Sequence, residues 1–263
     1  MNIGIIGEGA IGSFVRDKLI EHGHVLRALL VLPELVDQCA AEFPGTTCVA
    51  NVADLPDDVD QMVDCAGHIA LQVHGPGILR RGVDLTTVSI GALADAELYQ
   101  SLEEAAAEGN ARLHLVSGAI GALDCLRAAR VGDLQSVTYT GRKPPKSWKG
   151  SPAETRLDLD NMKSGAEVHF DGNAGDAARA YPKNANVAAA VALAGIGFDN
   201  TRVQLIADPG VTENIHEVQA TGDFGRFSFE IRGHSLPDNP KSSALAAMSV
   251  IGKLEQEMQK ICF

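Results

Sequence analysis

Residues 1–19 read MNIGIIGEGAIGSFVRDKL. Asn2 to Ile6 is a short apolar run of strand character, and it leads directly into Gly7-Glu8-Gly9-Ala10-Ile11-Gly12. Beyond it, Ile11, Phe14, Val15 and Leu19 recur at the i, i+3, i+4, i+8 spacing of one helix face. Strand, GxGxxG and helix in this order form a dinucleotide-binding fingerprint. Gly7 permits the tight turn, Gly9 lets the backbone approach a pyrophosphate, and Gly12 lets the helix pack close to the strand. The backbone N–H groups of Gly9, Ala10, Ile11 and Gly12 open the helix, where its partial positive charge favours phosphate.

Further strands are expected at Val25–Val31, Met62–Cys65, Asp84–Ser89 and Leu113–Val116, with helices between them, including Ala94–Glu108. Alternation at this spacing implies a doubly wound parallel sheet with ligands at the C-terminal strand ends. Two such ends are small-residue loops suited to close approach of a cofactor: Cys65-Ala66-Gly67-His68 and Ser117-Gly118-Ala119. His68 reads equally as a loop histidine bonded to backbone and as a catalytic group. The second strand is followed by Leu32-Pro33-Glu34, with neither a clear ribose-binding acid nor an arginine, so NAD and NADP both remain open.

The pattern changes after Ala129. Ser136–Thr140 reads as a strand and Arg142–Gly150 as a polar loop, on which Lys143 and Lys146 read as solvated surface lysines able to attract an anion. Asn184 or Asn186 caps an Ala-rich helix from Val187 to Ala194. Strands follow at Arg202–Asp208, Asn214–Thr221 and Arg226–Arg232, the last two joined by the hairpin signal Gly222-Asp223-Phe224-Gly225. His216 shares a strand face with Asn214, Val218 and Ala220. It reads either as a satisfied sheet histidine or as a general acid/base. Asn239-Pro240-Lys241-Ser242-Ser243 opens a helix running from Ala244 towards Lys260. That opening offers a carboxylate site built from free N–H groups, two hydroxyls and Lys241, or simple serine capping.

Composition narrows the classes. The chain has 263 residues, 45% apolar and 21% charged, as in ordinary globules, and its net charge of −12 argues against a nucleic-acid partner. The longest mainly apolar stretch, Val187–Phe198, falls short of the ~20 residues a membrane-spanning helix needs. The N-terminus lacks a basic n-region and carries Glu8 early, unlike a signal peptide. Cys39, Cys48, Cys65, Cys125 and Cys262 are scattered without a CxxC pair, which argues against a disulfide framework or cysteine zinc site and fits a reducing cytoplasm. His22 with His24, and His68 with His74, lack ligand spacing and read as solvated loop histidines, so no metal is expected.

Seven segments carry a resemblance that runs nearly end to end: GEGAIG (7–12), DCAGHIA (64–70), VSIGALAD (88–95), SGAIGALD (117–124), YPKNANVAAAVALAG (181–195), DPGVTENIHEV (208–218) and LPDNPKSSALAAMS (236–249). Together they resemble the L-aspartate dehydrogenases, in a subgroup linked to pyridine nucleotide biosynthesis. The resemblance implies an α/β fold with two parts. A Rossmann domain spans residues 1–113, and an α/β catalytic and dimerisation domain with an open sheet spans 114–241. The C-terminal helix, 242–263, returns to the first domain. It also implies a cytoplasmic homodimer acting on the CH–NH2 group of L-aspartate. NAD or NADP is the cofactor, and L-aspartate is oxidised to iminoaspartate, which water converts to oxaloacetate and ammonia. Carried over by motif, His216 matches the catalytic histidine, and Ala119 and Asn186 match cofactor contacts. Asn239, Lys241, Ser242 and Ser243 are assigned to the substrate carboxylates, with Ser242 standing where the family has threonine. Related readings on the same plan are a dihydrodipicolinate-reductase-like or homoserine-dehydrogenase-like enzyme, and a non-catalytic NAD(H) sensor.

Overall fold

The computed structural model describes residues 1–182, 184–236 and 239–261, with backbone alone at 239–241. The chain divides into two compact units, Met1–Val116 with the segment from Ala247 onward, and Ser117–Ala246.

In the first unit, strand β1 (Asn2–Ile6) leads through the glycine loop into helix α1 (Ala10–Glu21). Then come β2 (Val25–Leu30), α2 (Val36–Glu42), β3 (Thr47–Val49), β4 (Gln61–Asp64), α3 (His68–Arg80), β5 (Asp84–Thr87), α4 (Ala96–Gly109) and β6 (Leu113–Leu115). All six strands pair in parallel in the order β3-β2-β1-β4-β5-β6, the doubly wound order of dinucleotide-binding sheets. The central strands read as continuous apolar runs because helices cover both faces: Ile3, Ile5, Met62, Val63 and Leu85 are fully buried. Asp95 caps α4 by accepting from the N–H groups of Glu97 and Leu98.

The second unit contains α5 (Leu123–Ala129), β7 (Leu134–Lys143), β8 (Glu167–Asn173), α6 (Ala174–Ala180), α7 (Asn186–Ala194), β9 (Arg202–Ala207), β10 (Asn214–Gly222) and β11 (Gly225–Gly233). It closes with the two-stranded pair β12 (Ser235–Leu236) and β13 (Asn239–Ser243). The main sheet is mixed and open, in the order β11-β10-β7-β9-β8. Helices α6 and α7 pack on it, α7 supplying a face of buried alanines and Val191 that brings helix and strand backbones close. Helix α8 (Ala244–Met258) returns to the first unit, where His114 Nδ1 lies 2.9 Å from a Glu257 carboxylate oxygen and His22 pairs with Glu255.

Several expectations are corrected. The strand expected at Ser136–Thr140 runs on to Lys143, and the segment read as a polar loop instead turns at Pro145–Trp148 and buries Trp148 completely. Asn239–Ser243 does not open a helix directly: it pairs with β12 as a strand before α8 begins at Ala244. Cys39 and Cys48 are joined as a disulfide with Cα atoms 6.1 Å apart, because the chain folds β3 back beside α2, a proximity their spacing in sequence does not reveal. Cys65 and Cys125 are free, and Cys262 lies outside the described residues. His24, expected in solvent, is buried. No helix among the described residues is long and apolar enough to cross a membrane.

Candidate active site

The glycine loop is shaped by close contacts. Gly7 has φ +86°, and a Cβ there would lie 2.7 Å from the Ala66 side chain. A Cβ on Gly12 would lie 2.2 Å from the carbonyl oxygen of Gly7, so only glycine lets α1 start this near β1. Gly9 is different: it caps α1 with ordinary backbone angles, and a Cβ there would meet nothing within 4 Å. Helix α1 therefore opens with no side-chain cap and no acidic residue in its first turn, onto free space at Gly9. That is the donor set and the cradle a pyrophosphate requires, and the residues fit a dinucleotide. Glu8, which precedes Gly9 in the chain, is tied to Arg16, and burial pushes its pKa up.

Cys65 and Ala66 follow β4 beside this loop: the Cys65 N–H donates to the Ile6 carbonyl, and Ala66 packs under Gly7. Their loop is set by Asp64, which is fully buried. Its carboxylate accepts from Thr87 Oγ1 (2.7 Å), Ser89 Oγ (2.6 Å) and the Ala66 N–H (3.0 Å). Burial raises the pKa of Asp64 and these donors oppose that shift. Asp64 was not singled out from sequence, although it opens the DCAGHIA segment. His68 starts α3 after Gly67, whose φ of +98° turns the chain into that helix.

In the second unit the central feature is His216 on β10, which is 4% exposed. Its strand lies between β7 and β11, opposite Gly141 and Ile231. Nδ1 of His216 lies 2.7 Å from the phenolic oxygen of Tyr139. Gly141 makes that reach possible, because a Cβ there would sit 2.8 Å from the phenol. Burial first, and then the Lys143 ammonium, hold the imidazole down at a pKa of about 3, so it is neutral at physiological pH. Burial raises the Tyr139 phenol above its ordinary value.

Lys143, read as a solvated lysine, is a correction. It is the last residue of β7, its Nζ donates to Asn184 Oδ1 at 3.2 Å, and it lies 5.1 Å from the centre of the Trp148 ring. Burial lowers its pKa to about 8. A long strand delivers it inward where a loop was expected, whereas Lys146 is exposed. Asn184 thus serves Lys143 and is no helix cap; Ala185 precedes α7 without a side-chain cap, and Asn186 is the first helical residue. A second histidine, His169 on β8, is buried with Nδ1 3.0 Å from Tyr181 Oη and, among the described residues, its Nε2 without a partner. Burial, Arg156 and Lys143 depress it to about 4. Its strand was missed in the sequence, and so was the histidine.

Ala119 is buried ahead of α5 in the second unit. Ser242 and Ser243 end β13 half-buried, with the Ser243 hydroxyl shielded and unpartnered among the described residues. The side chains of Asn239 and Lys241 lie outside the described residues. No group of three or more His, Cys, Asp or Glu side chains among the described residues is arranged to hold a metal.

A doubly wound sheet with an uncapped glycine phosphate loop, followed in the chain by a mixed sheet bearing a buried, tyrosine-held histidine, defines a nicotinamide-dinucleotide oxidoreductase with two units. Comparisons with known proteins narrow the class. Residues 124–257 match the family model for aspartate dehydrogenase, C-terminal, and residues 7–116 match that for homoserine dehydrogenase, NAD binding domain. The chain is 52% identical over 256 residues to an L-aspartate dehydrogenase of Ruegeria pomeroyi, covering 97% of this chain and 92% of that one. It is 46% identical over 259 residues to an L-aspartate dehydrogenase of Pseudomonas aeruginosa, covering 97% and 96%. The crystal structure of aspartate dehydrogenase from Thermotoga maritima superposes with a TM-score of 0.78 at 29% identity, covering 100% of this chain and 99% of that one. The chain belongs to the L-aspartate dehydrogenase family.

Proposed function

We propose that the chain catalyses the reversible NAD(P)-dependent oxidative deamination of L-aspartate. In balance, L-aspartate, NAD(P)+ and water give oxaloacetate, ammonium, NAD(P)H and a proton, with iminoaspartate between them. The observation that carries this reading is the buried His216–Tyr139 pair on β10 and β7, in a chain whose N-terminal loop is built for a dinucleotide.

Gly7, Gly9, Ala10, Ile11 and Gly12 hold the pyrophosphate, with Cys65 and Ala66 alongside, while Ala119 and Asn186 contact the nicotinamide end. The cofactor, when bound, supplies the acceptor for the hydride that leaves Cα. Asn239, Lys241, Ser242 and Ser243 contribute to holding the substrate carboxylates. His216 acts through Nε2. With Nδ1–H donated to Tyr139 Oη, Nε2 keeps a lone pair that takes a proton from the water adding to the imine carbon. That proton then goes to the nitrogen as ammonia departs. A neutral imidazole is required for the first step, which burial ensures, and arrival of a dianionic substrate raises the histidine's basicity for it.

The reading extends to a cytoplasmic homodimer. Support for pairing is the polar sheet face bearing Thr140, Arg142, Glu217, Glu230 and Arg232, opposite the face that α7 covers; light scattering of the purified protein tests it. The chemistry is tested in the reductive direction. Oxaloacetate, ammonium and NADH or NADPH should give L-aspartate alone by chiral chromatography; D-aspartate, or no cofactor consumption, contradicts the reading.

A further inference from the structure

The side chain of Lys143 has an unusual position for a chain of net charge −12. Alternation along β7 puts Tyr139, Gly141 and Lys143 on one face, and the register with β10 sets Gly141 opposite His216. Lys143 is therefore the diagonal neighbour of His216, within reach of a long side chain. The next residue back, Arg142, is already engaged by Asp208 at 2.6 Å, and Arg16, Arg27, Lys149 and Arg202 each have a carboxylate partner too. Lys143 has none among the described residues. Its contacts are the Asn184 amide oxygen and the Trp148 ring. Trp148 is itself fixed, fully buried and donating through Nε1 to the Ile206 carbonyl at 3.1 Å.

A second observation points the same way. The His169 ring lies edge-on to Trp148 at 4.3 Å between centroids, and its buried Nε2 has no hydrogen-bond partner among the described residues. After burial, and for His169 after Arg156, the Lys143 ammonium also lowers both His169 and His216. A partly buried cation without an anion is costly, and a carboxylate completing the pair would restore the lost solvation.

We infer that Lys143 is a substrate-binding residue whose ammonium holds one of the two carboxylates of the dicarboxylic amino acid beside His216. This rests on the dehydrogenase reading above and adds to it an anchor on β7, separate from the Asn239–Ser243 segment. Trp148 and Asn184 hold the ammonium in place, and no proton transfer by Lys143 is required.

The test compares wild-type enzyme with Lys143→Met and Lys143→Arg, using L-aspartate as substrate and succinate, a dicarboxylate without the amine, as competitive inhibitor. Lys143→Met should raise KM for L-aspartate and Ki for succinate together by ~10–100-fold, the range for loss of a charged hydrogen bond. KM for the nicotinamide cofactor should stay unchanged, and Lys143→Arg should recover much of the affinity. Calorimetric titration of succinate into each protein saturated with NAD+ gives the same comparison without turnover. A Lys143→Met enzyme with unaltered KM and Ki overturns the assignment, and so does one that loses only kcat. Absence of L-aspartate oxidation by the wild type fails the dehydrogenase reading itself, a result separable from either.

Discussion

Tyr139 reaches across Gly141 to place its phenolic oxygen 2.7 Å from Nδ1 of His216. The two residues lie on neighbouring strands, yet Tyr139 is opposite Val218 in register, so the contact is diagonal and depends on the missing side chain at Gly141. The phenol holds Nδ1 of the ring, which in the proposed mechanism leaves Nε2 for the proton transfer. Tyr139→Phe should lower kcat about tenfold while leaving KM for cofactor alone. With an Nδ1–H donor, loss of the acceptor makes the imidazolium less favourable. The acidic inflection of the pH–rate profile then moves to lower pH, by up to ~1 unit for one buried hydrogen bond. Gly141→Ala should do the same by pushing the phenol aside. An inflection that moves upward would mean that the phenol donates to Nδ1.

His216→Ala should reduce turnover by ~10²–10⁴-fold. Cofactor affinity, measured by quenching or enhancement of NADH fluorescence, should be retained, because His216 is not among the residues assigned to the dinucleotide. Full turnover in this variant would remove His216 from the mechanism.

The glycine loop makes a paired prediction. Gly9→Ala has room and ordinary backbone angles, so the melting temperature should be unchanged while cofactor affinity falls, since the methyl occupies the cradle. Gly12→Ala drives a methyl into the Gly7 carbonyl at 2.2 Å, and should lose ~1–3 kcal/mol of stability as well as affinity. Thermal melts with and without NADH separate the two effects.

Acid should destabilise the fold through its histidines. His216 and His169 are held at about 3 and about 4, below the ordinary value of about 6.5, so they stay neutral in the folded chain while the unfolded chain takes up protons. Their contribution is complete above about pH 6.5 and is lost as the pH falls towards those depressed values. Each adds a slope of ~1.4 kcal/mol per pH unit. Urea unfolding between about pH 4.5 and 6 should show this slope, flattening above about 6.5, and His216→Gln should remove about one proton's share of it.

The first unit was legible because parallel strands covered on both faces are continuous apolar runs, and the glycine spacing marks where β1 turns into α1. The edge strand β3, Thr47–Val49, was missed: its polar Thr47 and half-exposed Cys48 break the mainly apolar run that marked the equally short β6. In the second unit the hairpin of β10 and β11 followed from its glycine turn signal, and the face that His216 shares with Val218 and Ala220 followed from alternation. The surroundings of His216 did not. Tyr139 and Lys143 join it only through the register of β7, and β7 extends past the point where prolines and lysines suggest a loop. His169 lies on β8, EVHFDGN, where a bulge and polar outward residues hide the alternation. Asp64 was overlooked because a single acid at a strand end carries no signal until Thr87 and Ser89 are seen to surround it.

The central claim is tested most directly by cofactor reduction with L-aspartate. Purified protein with L-aspartate and NAD+ or NADP+ should give a steady rise in reduced-nicotinamide absorbance and a matching release of ammonia. D-aspartate should give neither, and His216→Ala should abolish most of the rise. Bound cofactor with no absorbance change on L-aspartate would contradict the account.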